Sequence, residues 1–230
     1  MSIAVRRLGT LPYAEALALQ AELVEERRAG RIPDTLLLLE HPHVLTIGVR
    51  RGGRSNILAT ADRLDALGVE VHEAGRGGDV TYHGPGQVVG YPILDLRPDR
   101  QDVHRYVRDL EEVMIRLCSR FGVSADRLPG LTGAWVLHPE RGPEKVAAIG
   151  VRISRWITSH GFALNVNVDL DFFDLIVPCG IADRGVTSLH RLVGRPLNLA
   201  DVEVELIGQF AAVFDRAAPV TGPALTTTHS

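Results

Sequence analysis

The chain has 230 residues, 45% of them hydrophobic, and a formal net charge of −3. Its 25 basic residues include a single lysine, Lys145, and the arginines are spread along the chain. A P-loop is excluded, because that motif ends in Gly-Lys-Ser/Thr whereas Lys145 lies between Glu144 and Val146. A basic domain or stripe is also missing, so we expect no nucleic-acid partner.

Composition also indicates the compartment. No apolar run approaches the ~18–20 residues of a membrane-spanning helix. Pro12 and Glu15 interrupt the N-terminal apolar segment, which does not favour a secretory signal. Two cysteines, Cys118 and Cys179, are too few for a disulfide framework. We therefore expect a reduced, cytoplasmic protein without membrane association.

The first third of the chain contains helix and strand patterns of ordinary length. Apolar residues at helical spacing, together with start and stop signals, define the helices, and short apolar runs define the strands. The sequence predicts a helix from Pro12 to about Arg28 with Tyr13, Leu17, Ala21 and Val24 on one face, a buried strand Thr35–Leu39 with Val44–Ile47 as its partner, a helix Ala61–Leu67 that Gly68 ends, and a strand Val69–His72.

The strongest periodic signal follows. A helix that begins at Asp102 and ends at Gly122 has one apolar stripe, formed by Val103, Val107, Leu110, Met114, Leu117 and Phe121. Cys118 lies beside this stripe and is expected to be a buried structural cysteine. The remaining predicted elements are strands Val88–Ile93, Ala134–Leu137, Val146–Val151 and Gly161–Val166, and a last helix Leu199–Phe214 with Asn198 as its N-cap and Leu206, Phe210 and Phe214 on one face.

These elements alternate irregularly, and the chain contains no internal repeat or linker. We therefore expect an α+β fold with a mixed or antiparallel sheet flanked by helices. A single domain would cover residues 1–216. Residues 217–230, rich in Thr, Pro and Ala, are expected to form a flexible tail.

A glycine-rich segment, residues 75–87, is the first candidate for chemistry. Glycines allow a backbone to approach a ligand closely, and Arg76, Thr81 and His83 are interleaved with them. A dinucleotide-binding loop is excluded, because Val80 stands where the third glycine is needed. The segment is either a binding loop or a pair of tight turns between strands.

Two reactive side chains are further candidates. Lys145 precedes the small residues Ala147 and Ala148, which would leave room for a substrate, although a lysine in this position can also be a surface residue or form a pyridoxal-phosphate imine. Cys179 lies between Pro178 and Gly180, on an expected sharp turn, and is either a nucleophile or structural. Its base could be Lys145, His83, His160 or His190. The histidines show no metal-ligand spacing, and no metal site is expected.

Several motifs together resemble the lipoyl(octanoyl) transferase family. They span about residues 35 to 190 in the order of that family. The motifs are Arg76-Gly-Gly-x-x-Thr-x-His-Gly-Pro-Gly-Gln87, Gly133-Ala-Trp-Val136, Lys145-Val-Ala-Ala-Ile-Gly-Val-Arg152, His160-Gly161, Asn165-Val166, and Pro178-Cys-Gly-Ile181 with Val186-Thr-Ser-Leu189.

The resemblance implies a fold shared with biotin and lipoate protein ligases, with a ligase-like core at about residues 34–216. It implies transfer of an octanoyl group from octanoyl-acyl carrier protein to a lysine of a lipoyl domain, the first step of endogenous protein lipoylation and lipoate biosynthesis. The acceptors would be lipoyl domains of 2-oxoacid dehydrogenase E2 subunits and the glycine cleavage H protein. No cofactor is implied.

The resemblance also implies roles for residues. Cys179 would carry the acyl thioester, and Lys145 would lower the pKa of its thiol and act as acid and base. The implied substrate-binding residues are Arg76, Gly77, Gly78, Asp79, Val80, Thr81, Tyr82, His83, Ala148, Ile149, Gly150, Gly161, Phe162 and Ala163.

Two other functions compete with this one. An ATP-dependent lipoate or biotin ligase would use the same fold without a cysteine nucleophile. A non-catalytic acyl- or cofactor-binding protein would use the glycine-rich segment alone. Arg50, Arg51 and Arg54 form either a docking surface for an acidic carrier protein or a solvated loop.

Overall fold

Two β-sheets and five α-helices make up the part of the chain that the computed structural model describes, which is residues 2–50, 52–178 and 184–217. The strands are β1 (Ile3–Thr10), β2 (Asp34–Glu40), β3 (Val44–Ile47), β4 (Glu70–Glu73), β5 (Val80–His83), β6 (Gln87–Ile93), β7 (Asp126–Leu128), β8 (Leu131–His138), β9 (Gly142–Ser154), β10 (Ile157–Asn165) and β11 (Gly185–Val186). The helices are α1 (Tyr13–Arg28), α2 (Ala61–Ala66), α3 (Val103–Arg120), α4 (Leu189–Val193) and α5 (Leu199–Phe214), with 3₁₀ helices at Gly53–Asn56 and Leu170–Leu175.

The larger sheet has the strand order β1-β2-β6-β10-β9-β8-β7, and β11 pairs with β9. Its β1–β2 and β9–β11 pairs are parallel and the others are antiparallel, so the predicted mixed sheet of an α+β fold is confirmed. The smaller sheet has the order β4-β3-β5. The two sheets place the glycine-rich segment between them, because β5 belongs to the small sheet and β6 to the large one.

The predicted pairing of β2 with β3 is wrong. Strand β2 already has β1 on one edge and β6 on the other, while β3 pairs with β4 and β5. The turn between β2 and β3 is fixed by His41, whose ring nitrogens contact the carbonyl oxygen of Leu11 and the hydroxyl of Tyr91, each at 2.7 Å. The chain therefore leaves the large sheet at this point and starts the small one.

The three long helices agree with their predicted bounds, and their caps form as expected. The Asp102 carboxylate accepts from the amide of Arg105 at 3.1 Å, and the Asn198 side chain accepts from the amide of Ala200 at 2.8 Å. One residue of the predicted α3 stripe is misplaced, since Val103 is exposed in the first turn. The predicted stripe of α5 is buried throughout.

The predicted apolar face of α1 is displaced from the observed one. Leu17 and Val24 are half-buried and Ala21 is exposed, because the face that contacts the sheet includes a polar residue, Gln20. The Gln20 side-chain oxygen accepts from the backbone amide of His160 at 2.8 Å. The buried residues of α1 are Tyr13, Ala16, Gln20 and Leu23.

Helices cover both faces of the large sheet. Helices α3 and α5 bury Leu110, Leu117 and Phe210 on one face, and α1 buries Leu23 on the other. The prediction for Cys118 is confirmed: it is fully buried, and burial raises the pKa of its thiol to about 12, so it stays a neutral thiol.

The last described residues contact the N-terminal part of the chain. Arg216 is buried and donates to the carboxylate of Asp34 in β2 at 3.1 Å and to that of Asp99 at 3.0 Å. Ser2 bridges to Ala217. Residues 218–230 of the predicted tail lie outside the described residues. No helix within the described ranges has the length and apolar character needed to cross a bilayer.

Two glycines give a matched test of close contact in the sheet. A Cβ on Gly90 of β6 would overlap the ring of Phe162 on β10, whereas one on Gly208 of the exposed face of α5 would contact nothing within 4 Å. We predict that Gly90→Ala lowers the free energy of unfolding by about 1–3 kcal/mol. Gly208→Ala should raise it by about 0.5–1 kcal/mol. Urea unfolding of both variants checks this, and a Gly90→Ala protein as stable as wild type would contradict the contact.

Candidate active site

The loop between β4 and β5 is held by one buried guanidinium. Arg76 Nη1 donates to the carbonyl oxygens of Gly77 at 3.1 Å and Asp79 at 2.9 Å. Its Nη2 donates to the backbone carbonyl of Thr46 at 2.6 Å and to the Thr46 hydroxyl at 2.8 Å. The loop is thereby fixed to the end of β3, and Arg76 places a positive charge in the interior.

Glycines bring this loop against two strands. A Cβ on Gly48 would overlap the Gly78 carbonyl, and one on Gly150 of β9 would come within 2.9 Å of the Gly77 carbonyl. The Gly77 amide donates to the Val151 carbonyl at 2.9 Å. The backbone from Gly77 to Asp79 therefore lies across β9.

A narrow slot lies beneath the loop, with a cavity volume of about 50 Å³. Its lining combines apolar residues of β9 and β10 with two histidines and two tyrosines. The slot is lined by Tyr13, Arg76, Gly78, Asp79, Thr81, His83, Tyr91, Ala148, Ile149, Gly150, His160, Gly161, Phe162 and Ala163.

The slot thus brings together all the predicted substrate-binding residues except Gly77, Val80 and Tyr82. Val80 and Tyr82 are buried in the core of the small sheet instead, because they point away from the slot on β5. Gly77 lines the neighbouring cavity. The glycine-rich segment is therefore partly strand, since β5 lies within it, where the sequence predicted either a binding loop or a pair of turns.

Lys145 lines that neighbouring cavity, which has a volume of about 300 Å³. The cavity shares Gly78, Asp79, Ile149 and Gly150 with the slot, so the two are adjacent. We call it the Lys145 cavity. Residues 130–132 also line it.

The Lys145 side chain is held in a defined position. It is buried on β9, and its Nζ lies 4.6 Å from the centre of the Trp135 ring, a cation–π contact across the β8–β9 pair. A Cβ on Gly133, which has φ +124°, would lie 3.4 Å from the lysine Cε. The Gly133-x-Trp135 motif thus forms the surface on which the lysine lies.

Cys179 lies outside the described residues, as do the four residues after it. The chain on both sides is described. Before the gap, the Val177 amide donates to the Asn56 carbonyl at 2.7 Å, and the Asn56 side chain donates to the Asp79 carboxylate at 2.9 Å. After the gap, β11 pairs beside Glu144 and Lys145.

A chain of buried hydrogen bonds joins the Arg76 loop to the segment beside Lys145. His83 Nδ1 contacts the Gln87 side-chain oxygen at 2.7 Å, and the Gln87 amide donates to the Asn165 side chain at 2.9 Å. Asn165 donates to the Thr187 carbonyl at 3.0 Å, and the Thr187 amide donates to the Lys145 carbonyl at 3.0 Å. Because an amide oxygen accepts, the His83 proton resides on Nδ1.

Two buried imidazoles, those of His83 and His160, line the slot. Burial is the main cause that lowers the pKa of His83 to about 3, with His41 and Arg76 adding to it. Burial, followed by Arg76 and Arg152, lowers the pKa of His160 to about 4. Both rings are therefore neutral at neutral pH. The third candidate base, His190, is exposed on α4 and lines neither the slot nor the Lys145 cavity.

Sequence reasoning missed residues whose side chains complete the site. Gln87 and Asn165 belong to the motifs that resemble the transferase family. Their hydrogen bond joins residues 78 positions apart and could not be predicted without the fold. Thr46 and Tyr13 had no signal beyond their place in a strand and a helix. Within the described ranges, no three His, Cys, Asp or Glu side chains are grouped so as to bind a metal ion.

The depressed histidine pKa values predict a pH-dependent stability. The unfolded chain takes up protons near pH 6.5, whereas His83 and His160 do so only near pH 3 and pH 4 when folded. Their contribution is thus fully present above pH 6.5 and is lost as the pH falls. Each should lower the free energy of unfolding by about 2 kcal/mol between pH 7 and pH 5.

Urea unfolding at several pH values measures this slope. His160→Asn should remove roughly half of it, and His104→Asn, on the exposed side of α3, should leave it unchanged. A wild-type stability that does not vary from pH 7 to pH 5 would contradict the neutral, buried imidazoles.

The chain is similar to proteins of known family. Residues 12–211 match the family model of the lipoyl protein ligase A/B catalytic domain. Octanoyltransferases from Myxococcus xanthus and Rubrobacter xylanophilus are 52% and 55% identical over 93% and 91% of this chain. The chain spans 60% of the Myxococcus protein and 92% of the Rubrobacter protein.

Solved structures show the same fold at low sequence identity. A bipartite lipoate protein ligase from Thermoplasma acidophilum matches 99% of this chain and 88% of its own, with a TM-score of 0.74 and 16% identity. The biotin protein ligase of Aquifex aeolicus matches 94% of this chain and 69% of its own, with a TM-score of 0.51 and 11% identity. The chain therefore belongs to the lipoyl protein ligase A/B catalytic domain family and, within it, to the octanoyltransferases.

Proposed function

We propose that the protein transfers an octanoyl group from octanoyl-acyl carrier protein to a lysine of a lipoyl domain through a thioester on Cys179. One observation supports this most strongly. Lys145, the single lysine of the chain, lines a cavity that shares four lining residues with a narrow slot, and the segment that follows Cys179 by a few residues pairs beside it. The slot would hold the acyl chain, and the Lys145 cavity would hold the reacting carbonyl.

The walls of the slot suit a thin, unbranched alkyl chain. Ala148, Ile149, Phe162 and Ala163 present apolar side chains. The buried histidines are neutral, and the Arg76 guanidinium donates to backbone carbonyls and to Thr46. An alkyl chain in the slot therefore gains burial without displacing water from an exposed charge.

The first half-reaction forms the acyl-enzyme. The Cys179 thiolate attacks the carbonyl carbon of the carrier thioester, the bond from that carbon to the carrier sulfur breaks, and the carrier leaves as a thiol after taking up a proton. A nearby ammonium favours the thiolate over the thiol, which is the role that we assign to Lys145. Its position over Trp135 and Gly133 keeps the ammonium at the edge of the cavity.

The second half-reaction forms the amide. The lysine amine of the lipoyl domain attacks the Cys179 thioester, the carbon–sulfur bond breaks, and the amine loses a proton. Lys145 is the base that we assign to this proton, in the neutral form that remains after it has given a proton to the departing carrier thiolate. The same two groups thus serve both halves, and the thioester divides one acyl transfer into two easier steps.

The proposed partners fit the surface around the cavity. Arg50 lines the Lys145 cavity, and Arg54 is exposed, with its guanidinium 3.1 Å from Glu73. Arg51 lies outside the described residues. We assign these arginines to docking of the acidic carrier protein in the cytoplasm. The acceptors would be the lipoyl domains of 2-oxoacid dehydrogenase E2 subunits and the glycine cleavage H protein.

The acyl-enzyme gives the direct test. Incubation with octanoyl-acyl carrier protein should add the mass of one octanoyl group to the protein, and hydroxylamine should remove it. Cys179→Ala should abolish the adduct and lower transfer by at least about 10³-fold. Cys118→Ala is the matched control, because that thiol is buried in α3, and it should keep both the adduct and transfer.

Two results would contradict the proposal. The first is a Cys179→Ala protein that transfers octanoyl groups at the wild-type rate. The second is a wild-type protein that modifies lipoyl domains only when ATP and a free fatty acid are supplied, which is the behaviour of a ligase without a cysteine nucleophile.

A further inference from the structure

His160 lines both the slot and a second cavity. This outer cavity, with a volume of about 510 Å³, lies between α1 and the β9–β10 hairpin and is lined by Leu17, Gln20, Val24, Arg152, Ile157 and His160, among others. Of the described residues that line the outer cavity, His160 is the one that also lines the slot. His160 therefore adjoins both the slot and the outer cavity.

The backbone at His160 is held firmly. Its φ is +54°, in the left-handed region that a histidine in a strand rarely adopts. Its amide donates to the buried Gln20 side chain at 2.8 Å. The next residue, Gly161, has no room for a Cβ, which would overlap the Gly90 carbonyl of β6. Strand β10 therefore cannot shift at this point without breaking these contacts.

The imidazole of His160 is also held in place. The side chain is buried, and its ring lies 6.2 Å from the Tyr91 ring in an edge-to-face arrangement. The residue has a left-handed backbone and lines both cavities. The ring is uncharged at neutral pH, so an alkyl end can contact it without burying a charge.

We propose that His160 is the residue that limits acyl chain length, because its imidazole closes the end of the slot that lies away from Lys145. This inference rests on the proposed function. In this proposal the end of an octanoyl chain contacts the ring, and a longer chain would have to displace it. Burial alone cannot exclude longer chains, since each added methylene favours binding. A closed end can.

His160→Gly is the sharpest test, because glycine adopts a φ of +54° readily and keeps the backbone amide that Gln20 accepts from. The variant would join the slot to the outer cavity. We expect the ratio of kcat/KM for dodecanoyl- over octanoyl-acyl carrier protein to rise by at least about tenfold. The expected change lies in this ratio, and a merely structural role for His160 would lower the transfer of both chains equally.

Two further variants keep the test decisive. His160→Asn tolerates the same backbone and shortens the side chain, so it should raise the decanoyl-to-octanoyl ratio by a smaller factor, and it decides the matter if the glycine variant does not fold. Leu17→Ala enlarges the outer cavity without opening the slot and should leave the profile unchanged. Intact masses of the acyl-enzymes give an independent readout for each chain length.

The outcomes separate the two proposals. If the wild type forms an octanoyl-enzyme and the folded His160 variants keep its chain-length profile, His160 does not limit the chain and this inference is overturned. If the wild type forms no acyl-enzyme with any donor, the proposed function itself fails. If Leu17→Ala accepts longer acyl chains as readily as His160→Gly does, the inference is also contradicted, because chain length would then not be limited by the His160 ring in particular.

Discussion

The buried guanidinium of Arg76 is the interaction on which the site depends. Its hydrogen bonds to Thr46 and to the carbonyl oxygens of Gly77 and Asp79 connect the small sheet to the loop that covers the slot. An arginine donates from separate nitrogens of a planar fork and can reach carbonyl oxygens of different segments, whereas a lysine donates from one nitrogen. Without it, the loop would rely on backbone hydrogen bonds such as the one from the Gly77 amide to the Val151 carbonyl.

The same charge adds to the effect of burial on the histidines of the interior. Arg76 contributes to the low pKa values of His83 and His160, so neutral rings line the slot beside a fixed cation. Gln87 and Asn165 extend this hydrogen-bonded interior to Thr187, whose amide donates to the carbonyl of Lys145. The position of the lysine and the shape of the slot are therefore set by one connected group of buried polar residues. Loss of one member would leave buried donors or acceptors without a hydrogen bond, which destabilises the fold.

Much of this could be predicted from the sequence, because it depends on local signals. Helical periodicity with an Asp or Asn cap defined α3 and α5, and the motifs identified most of the slot. The pairing of β3 could not be predicted, since an apolar run of four residues does not reveal which sheet it joins. Strand β1 was not predicted, because its sequence shows no apolar alternation, and β5 was not predicted, because it lies within the glycine-rich segment.

The buried face of helix α1 is the most informative of the wrong predictions. Apolar spacing favoured Leu17 and Val24, but the helix turns Gln20 to the sheet, where the amide of His160 needs an acceptor because its backbone is left-handed within a strand. The hydrophobic pattern predicts neither the buried Gln20 nor the left-handed backbone of His160, and both occur where we propose that the slot ends.

Control of the Cys179 charge by Lys145 is the step on which the proposed chemistry rests. In a Cys118→Ala background, where one thiol remains, the pH dependence of alkylation by iodoacetamide measures thiolate formation directly. We predict a midpoint below the ~8.5 of an ordinary cysteine, and a higher midpoint in Lys145→Met than in the protein that keeps Lys145. Identical midpoints with and without the lysine would contradict this role.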